Sequence, residues 1–126
     1  RKAVVAGFNE SVEPSIKYLS NEYDEVTLVD RSINTSNEAE KFEDVEFEFS
    51  DFRNVETRKN QNIGSADLVL SMIEDMDLNR EIIEETSEEC ITILTAEDQT
   101  KHQSLLQKEL TTYLWSRKQP ATKSLK

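Results

Sequence analysis

Four apolar residues, Ala3-Val4-Val5-Ala6, run without interruption and stop at Gly7. An unbroken apolar run, rather than an alternating one, predicts a strand buried on both faces, as in a parallel sheet. From Glu10 to about Tyr23, the residues Val12, Ile16 and Leu19 recur at helical spacing. Pro14 falls in the first turn of that helix, where its missing N–H is tolerated. Glu25-Val26-Thr27-Leu28-Val29-Asp30 is a β-branched strand run that ends in an acid. Residues 32–44 are polar, with only Ile33, Ala39 and Phe42 to pack, which predicts a short or frayed helix. Val45 to Phe49 alternates apolar and acidic residues, the pattern of a half-exposed strand at a sheet edge.

The second half repeats this order. Asp51 to Gln61 is a weakly amphipathic helix, closed by Asn62-Ile63-Gly64 with glycine as the C-terminal signal. Ala66 to Ile73 is the most apolar stretch and predicts the central strand. Leu78, Ile82 and Ile83 share one face of a helix over 78–85. Ile91 to Leu94 reads as a strand, Leu105, Leu106 and Leu110 mark a further helix, and Tyr113-Leu114-Trp115 a sixth strand. Strands alternating with helices of this size imply βαβ units and a parallel sheet. Residues 1–118 are expected to form one domain, with 119–126 as a tail or linker.

The full chain has 126 residues, enough for one domain with a real core. Its formal charge of −11 argues against nucleic-acid partners, which want clustered Lys and Arg. Nine aromatic residues argue against disorder. The longest apolar stretch, Leu68 to Ile73, is far short of a bilayer span. Arg1 and Lys2 lead straight into the first apolar run with no starting Met, so the sequence reads as a segment of a longer chain without a signal peptide. A single cysteine, Cys90, excludes an internal disulfide framework, and with one histidine it argues against structural zinc.

In an open α/β sheet, ligands bind beyond the carboxyl ends of the strands, where the strand order reverses. Four segments are expected there: Gly7 to Glu10, Asp30-Arg31, Asp51, and Glu74 to Asp77. The turn Gly7-Phe8-Asn9-Glu10-Ser11-Val12 stands where a dinucleotide fold shows G-x-G-x-x-G, yet only the first glycine is kept. Asn9 and Val12 fill the other two positions, and Glu10 and Glu13 oppose a phosphate at the helix start. Here Asn9 reads more simply as a helix cap. Asp30 lies about 20 residues after the turn, where an acid holds a ribose hydroxyl. Asp51 suits a turn start, and Glu74-Asp75-Met76-Asp77 suits either a helix N-terminus or a hard-cation site. His102 has no Ser, Cys or acid partner at triad or metal spacing and reads as a solvated helical histidine; Cys90 reads as a small core residue, and Tyr113 and Trp115 as cover for the sheet end.

Taken in order, these segments resemble the RCK domains, also called TrkA-N or KTN domains, which regulate potassium channels and transporters. The similarity covers Lys2 to Arg117. It is carried by Ser50-Asp51-Phe52-Arg53-Asn54 and Asn62-Ile63-Gly64-Ser65-Ala66-Asp67-Leu68-Val69-Leu70, which resemble the family's G-D-A-T … A-G-I … A-D-A-V-I passage. Leu28-Val29-Asp30-Arg31, Glu74-Asp75-Met76-Asp77-Leu78-Asn79 and Ile93-Leu94-Thr95-Ala96-Glu97 extend it. Ser50 departs from the family's glycine. Gly7-Phe8-Asn9-Glu10-Ser11 is similar to the G-W-x-E-S turn of the calcium-gated archaeal potassium channels.

The resemblance implies a Rossmann-like, doubly wound, mostly parallel six-stranded sheet in order 3-2-1-4-5-6, with helices on both faces. It implies a cytoplasmic regulatory domain at the inner face of the membrane, a homodimer or higher ring, and a pore or transporter subunit as partner. Interface candidates are any apolar residues left exposed around Ile82, Ile83, Leu105 and Leu106. Gly7, Phe8, Asn9, Asp30, Arg31 and Asp51 would bind a nucleotide, and Asp51, Glu74, Asp75 and Asp77 a divalent cation such as calcium. With two glycines lost, AMP or ADP ranks above NAD. The competing classes are a nucleotide-dependent oxidoreductase fragment, a phospho-acceptor domain and a ligand-free assembly scaffold. The first lacks room for a substrate domain; the second lacks acids after the first strand to hold magnesium.

Overall fold

The first strand, β1 (Lys2–Ala6), alternates its side chains between two separate cores. Ala3 and Val5 face one, Val4 and Ala6 the other, and all four are fully buried. That explains the unbroken apolar run: both sheet faces are covered. In the computed structural model, residues 1–95 and the strand 112–114 are described. The helix expected around Leu105, Leu106 and Leu110, together with His102, Trp115 and the 119–126 tail, lies outside the described residues.

After β1 a 3₁₀ turn, Glu10–Val12, leads into α1 (Glu13–Glu22), then β2 (Glu25–Asp30), α2 (Thr35–Ala39) and β3 (Val45–Phe49). The second half follows with α3 (Val55–Asn60), a 3₁₀ turn Ile63–Ser65, β4 (Leu68–Ser71), α4 (Met76–Glu85), β5 (Ile91–Thr95) and β6 (Thr112–Leu114). The strands form one six-stranded sheet in order β3-β2-β1-β4-β5-β6, the order expected. The first five are parallel; β6 runs antiparallel to β5, with Leu114 opposite Ile93. Strand order reverses between β1 and β4.

Ile16 and Leu19 of α1 and Ala39 of α2 pack with Val26, Leu28, Leu68 and Leu70 on one face. Ile63, Leu78 and Ile82 pack with Val29, Val69 and Leu94 on the other, joined by Phe52 and Cys90. Ile82 is therefore core, fully buried, and Ile83 packs partly against it. Of these two, Ile82 leaves no apolar surface exposed, while Ile83 remains partly exposed.

Several local expectations are adjusted. The helix after β3 ends at Asn60, and the left-handed residue beyond it is Asn62 (φ 57°, ψ 48°) rather than the expected Gly64, which sits inside the following 3₁₀ turn. Asn tolerates this region because its short polar side chain offsets the steric cost locally. Strand β4 is shorter than the apolar run suggested. Asp67 instead bonds back to β1, its carboxylate accepting from the Lys2 N–H and its own N–H donating to the Lys2 carbonyl. Around α2, Ala39 is buried and Phe42 packs partly, while Ile33 is exposed. Among the described residues, no helix is long and apolar enough to cross a membrane.

Candidate functional site

Gly7 closes β1 with φ +86°, a conformation that L side chains rarely adopt. A Cβ there would stand 3.2 Å from Ile73 Cγ1 and 3.4 Å from Met72 Cβ, because the chain leaving β4 passes close by. The glycine is thus required by its backbone angle and its neighbour, with no ligand invoked. Gly7→Ala is expected to destabilise the fold by about 2 kcal/mol, the middle of the range for a strained backbone position; urea unfolding measures it. A loss under about 0.5 kcal/mol would show that the turn relaxes.

Beside Gly7, at the carboxyl ends of β1, β2 and β3, lies a small crevice of about 120 Å³. Gly7, Asp30, Arg31, Ser50, Asp51, Phe52 and Arg53 line it, with Val29 and Ile73. Asp30, at the end of β2, accepts the Ser32 N–H on one oxygen (3.2 Å) and the Thr35 hydroxyl on the other (2.8 Å). These bonds fix its carboxylate toward the loop before α2. A carboxylate offers about four lone-pair directions, so capacity remains for a ligand hydroxyl.

Asp51 is engaged more heavily. Its Oδ1 accepts the Arg53 N–H at 3.0 Å, making a local turn. The Arg53 guanidinium grips both oxygens, Nε to Oδ1 and Nη2 to Oδ2, each at 3.2 Å. Arg31 approaches the same carboxylate at 3.6 Å. The two arginines balance the charges of Asp30 and Asp51, so this corner of an acidic chain is locally neutral. Ser50, where the family shows glycine, shares a 2.6 Å hydrogen bond with Thr57 of α3.

The other candidates fall elsewhere. Phe8 packs partly into the core beneath α1, away from the crevice. Asn9 caps the 3₁₀ turn, its Oδ1 accepting the Ser11 N–H at 2.9 Å, which is the simpler reading of that position. Asp75 caps α4 by accepting the Leu78 N–H at 3.0 Å, and the exposed Asp77 pairs with Arg80. Glu74 is exposed on the same carboxyl rim. Among the described residues, no three His, Cys, Asp or Glu side chains stand close enough to hold a metal ion. Gly7, Asp30, Arg31 and Asp51 therefore come together, whereas the four acids proposed for a cation do not form a cluster.

Two participants were not singled out from the sequence. Arg53 could have been, since Asp-x-Arg immediately after a strand is a local turn-and-clamp pattern. Arg58 could not: it is 1 % exposed, and its partners Glu81 and Glu85 are distant in sequence.

No curated protein matches this sequence. Among solved structures, the fold is similar to a chain from Plasmodium falciparum described as a protein-L-isoaspartate O-methyltransferase in complex with S-adenosyl-L-homocysteine. The TM-score is 0.53 at 14% identity, covering 78% of this chain and 52% of that one. This chain thus spans about half the length of that protein, and the likeness concerns the fold alone. The family comparison reaches further: the TrkA-N domain model matches residues 3–114, nearly the whole chain. The chain belongs to the TrkA-N domain family, which is associated with the regulation of potassium transport.

Proposed function

We propose that the chain is a cytosolic ligand-sensing regulatory domain of a potassium channel or potassium transport system. It acts at the inner face of the cell membrane, assembled as a homodimer or higher ring with a pore or transporter subunit. Ligand binding shifts the balance between two arrangements of the assembly, which the pore then reads. The observation that carries this reading is the crevice at the carboxyl ends of β1, β2 and β3, bordering the strand-order reversal and lined by Gly7, Asp30, Arg31 and Asp51.

The geometry favours an adenine mononucleotide such as AMP or ADP as the ligand. Asp30 has acceptor capacity for a ribose hydroxyl, and the enclosed volume suits a sugar, with the base and phosphate along the rim. NAD fits less well. Val12 is buried where a glycine would bring α1 closer to the sheet, and Glu10 and Glu13 place negative charge at the start of the helix. Calcium at Asp51 and Glu74 is the second reading. It would have to displace Arg53 from Asp51, and few-ligand carboxylate sites bind only at roughly millimolar strength.

Calorimetry with AMP, ADP, NADH and calcium chloride, on the wild type and Asp51→Asn, separates these ligands. AMP or ADP is expected to bind, and Asp51→Asn to weaken it about tenfold, the loss of roughly one charge-assisted bond. NADH binding more tightly than AMP would overturn the reading of the degenerate turn. A calcium response abolished by Asp51→Asn would establish the cation reading instead.

A further inference from the structure

Arg58 is the largest fully buried side chain in the described structure, a guanidinium at a core position of a half-polar helix. From α3, its bonds reach two other elements. Nη1 donates to the Phe52 carbonyl at 2.8 Å, in the loop that carries Asp51 and Arg53 into the crevice. Nε and Nη2 grip both oxygens of Glu85, at 2.7 and 3.1 Å, and Nη2 also donates to Glu81. Glu81 and Glu85 lie one turn apart on α4, so both face the same point.

A buried ion pair is a poor way to gain stability, since an apolar residue of similar volume often packs as well or better. What it adds is direction. A planar fork bonded on several edges fixes the relative position of its partners, whereas apolar contact lets them slide. Here the partners are the crevice loop and α4, held from α3. The α4 end is also accessible from outside: the Glu81 side chain is 50% exposed and that of Glu85 31%.

We propose that Arg58 is a strap tying the crevice loop at Phe52 to Glu81 and Glu85 of α4, so that a change at Asp51 is transmitted to the outer surface of that helix. It rests on the crevice reading for its biological use, and it gives that reading a route out of the site. A ligand that draws Asp51 away from Arg53 shifts the Phe52 carbonyl, and Arg58 carries the shift across the domain. A competing route exists, because the Phe52 ring lies in the same apolar core as Ile82. Arg58 is thus a positioning residue, and it must be tested against that alternative.

The test is amide hydrogen exchange on the full chain, triggered in two ways. Asp51→Ala removes the turn and the arginine clamp without any ligand; added AMP is the second trigger. In the wild-type background, Asp51→Ala is expected to speed exchange around Phe52 to Asn54 and also near the end of α4. The change at α4 should be about 2- to 30-fold, the span of ordinary coupling between connected sites. In the Arg58→Met background the loop should still respond while α4 no longer does. Glu85→Gln, which keeps the shape and severs one leg, should reduce the α4 response in part, and it serves if Arg58→Met folds poorly. An undiminished α4 response in both backgrounds would assign the coupling to the apolar core and overturn the strap. So would a wild-type α4 that ignores Asp51→Ala. AMP should protect both segments in the wild type and only the loop in Arg58→Met. Failure of AMP to bind overturns the nucleotide reading alone, since the Asp51→Ala trigger decides the strap by itself.

Discussion

Glu85→Ala is expected to lower the unfolding free energy by about 3 kcal/mol, the low end of the cost of orphaning one member of a buried ion pair. The loss stays at the low end because Glu81 and the Phe52 carbonyl still face the Arg58 guanidinium. Burial works against the charge of Arg58. The hydrogen bond and proximity of Glu85, and then those of Glu81, outweigh it, so the guanidinium holds its proton more firmly than usual. A folded-state pKa raised in this way adds stability that is fully present below the ordinary arginine range and lost only above it. The guanidinium end of the strap therefore stays charged throughout neutral pH. Arg58→Met should cost less than Glu85→Ala, about 1–2 kcal/mol, because it removes the buried charge and leaves mainly one carbonyl unpaired. Urea unfolding at pH 7 compares the two, and a larger loss for Arg58→Met would contradict this account of the pair.

Phe52→Ala should be at least as severe, costing about 3–5 kcal/mol, the usual cost of deleting a core aromatic ring. Phe52 is 1% exposed, packed with Ile63, Ile82 and Cys90, yet it stands between Asp51 and Arg53 on the crevice wall. One residue therefore links the core beneath α4 to the site. A fall in Tm of about 10 °C or more is expected. Phe52→Leu, which keeps most of the volume, should lose about 1.5 kcal/mol or less. If Phe52→Ala unfolds like the wild type, the loop is not anchored through this ring.

Much of the candidate site is legible from the residues that end strands. Gly7, Asp30 and Asp51 each follow a run whose composition marks it as a strand, and the parallel topology then brings all three to one rim. The acids after β4 show where this reasoning stops. Glu74, Asp75 and Asp77 are close in sequence, but Asp75 turns inward to cap α4 while Asp77 turns outward to Arg80. Neighbouring residues at a helix start point in different directions, so a run of carboxylates in sequence need not become a cluster in space.

The amino-acid sequence by itself determined the order of elements, the parallel sheet with two covered faces, and the short half-exposed edge strand. Those follow from local apolar periodicity, which depends on a few adjacent residues. It also determined that the turn after β1 lacks the glycines of a dinucleotide loop. Only the tertiary structure decided that Arg31 and Arg53 converge on Asp51, and that Ile82 is core rather than surface. It alone decided that Arg58 is buried between a loop carbonyl and two glutamates more than twenty residues away. The physical reason is range: periodicity reports which face a residue takes, while the partner of a buried charge is chosen by packing between elements that the sequence holds far apart.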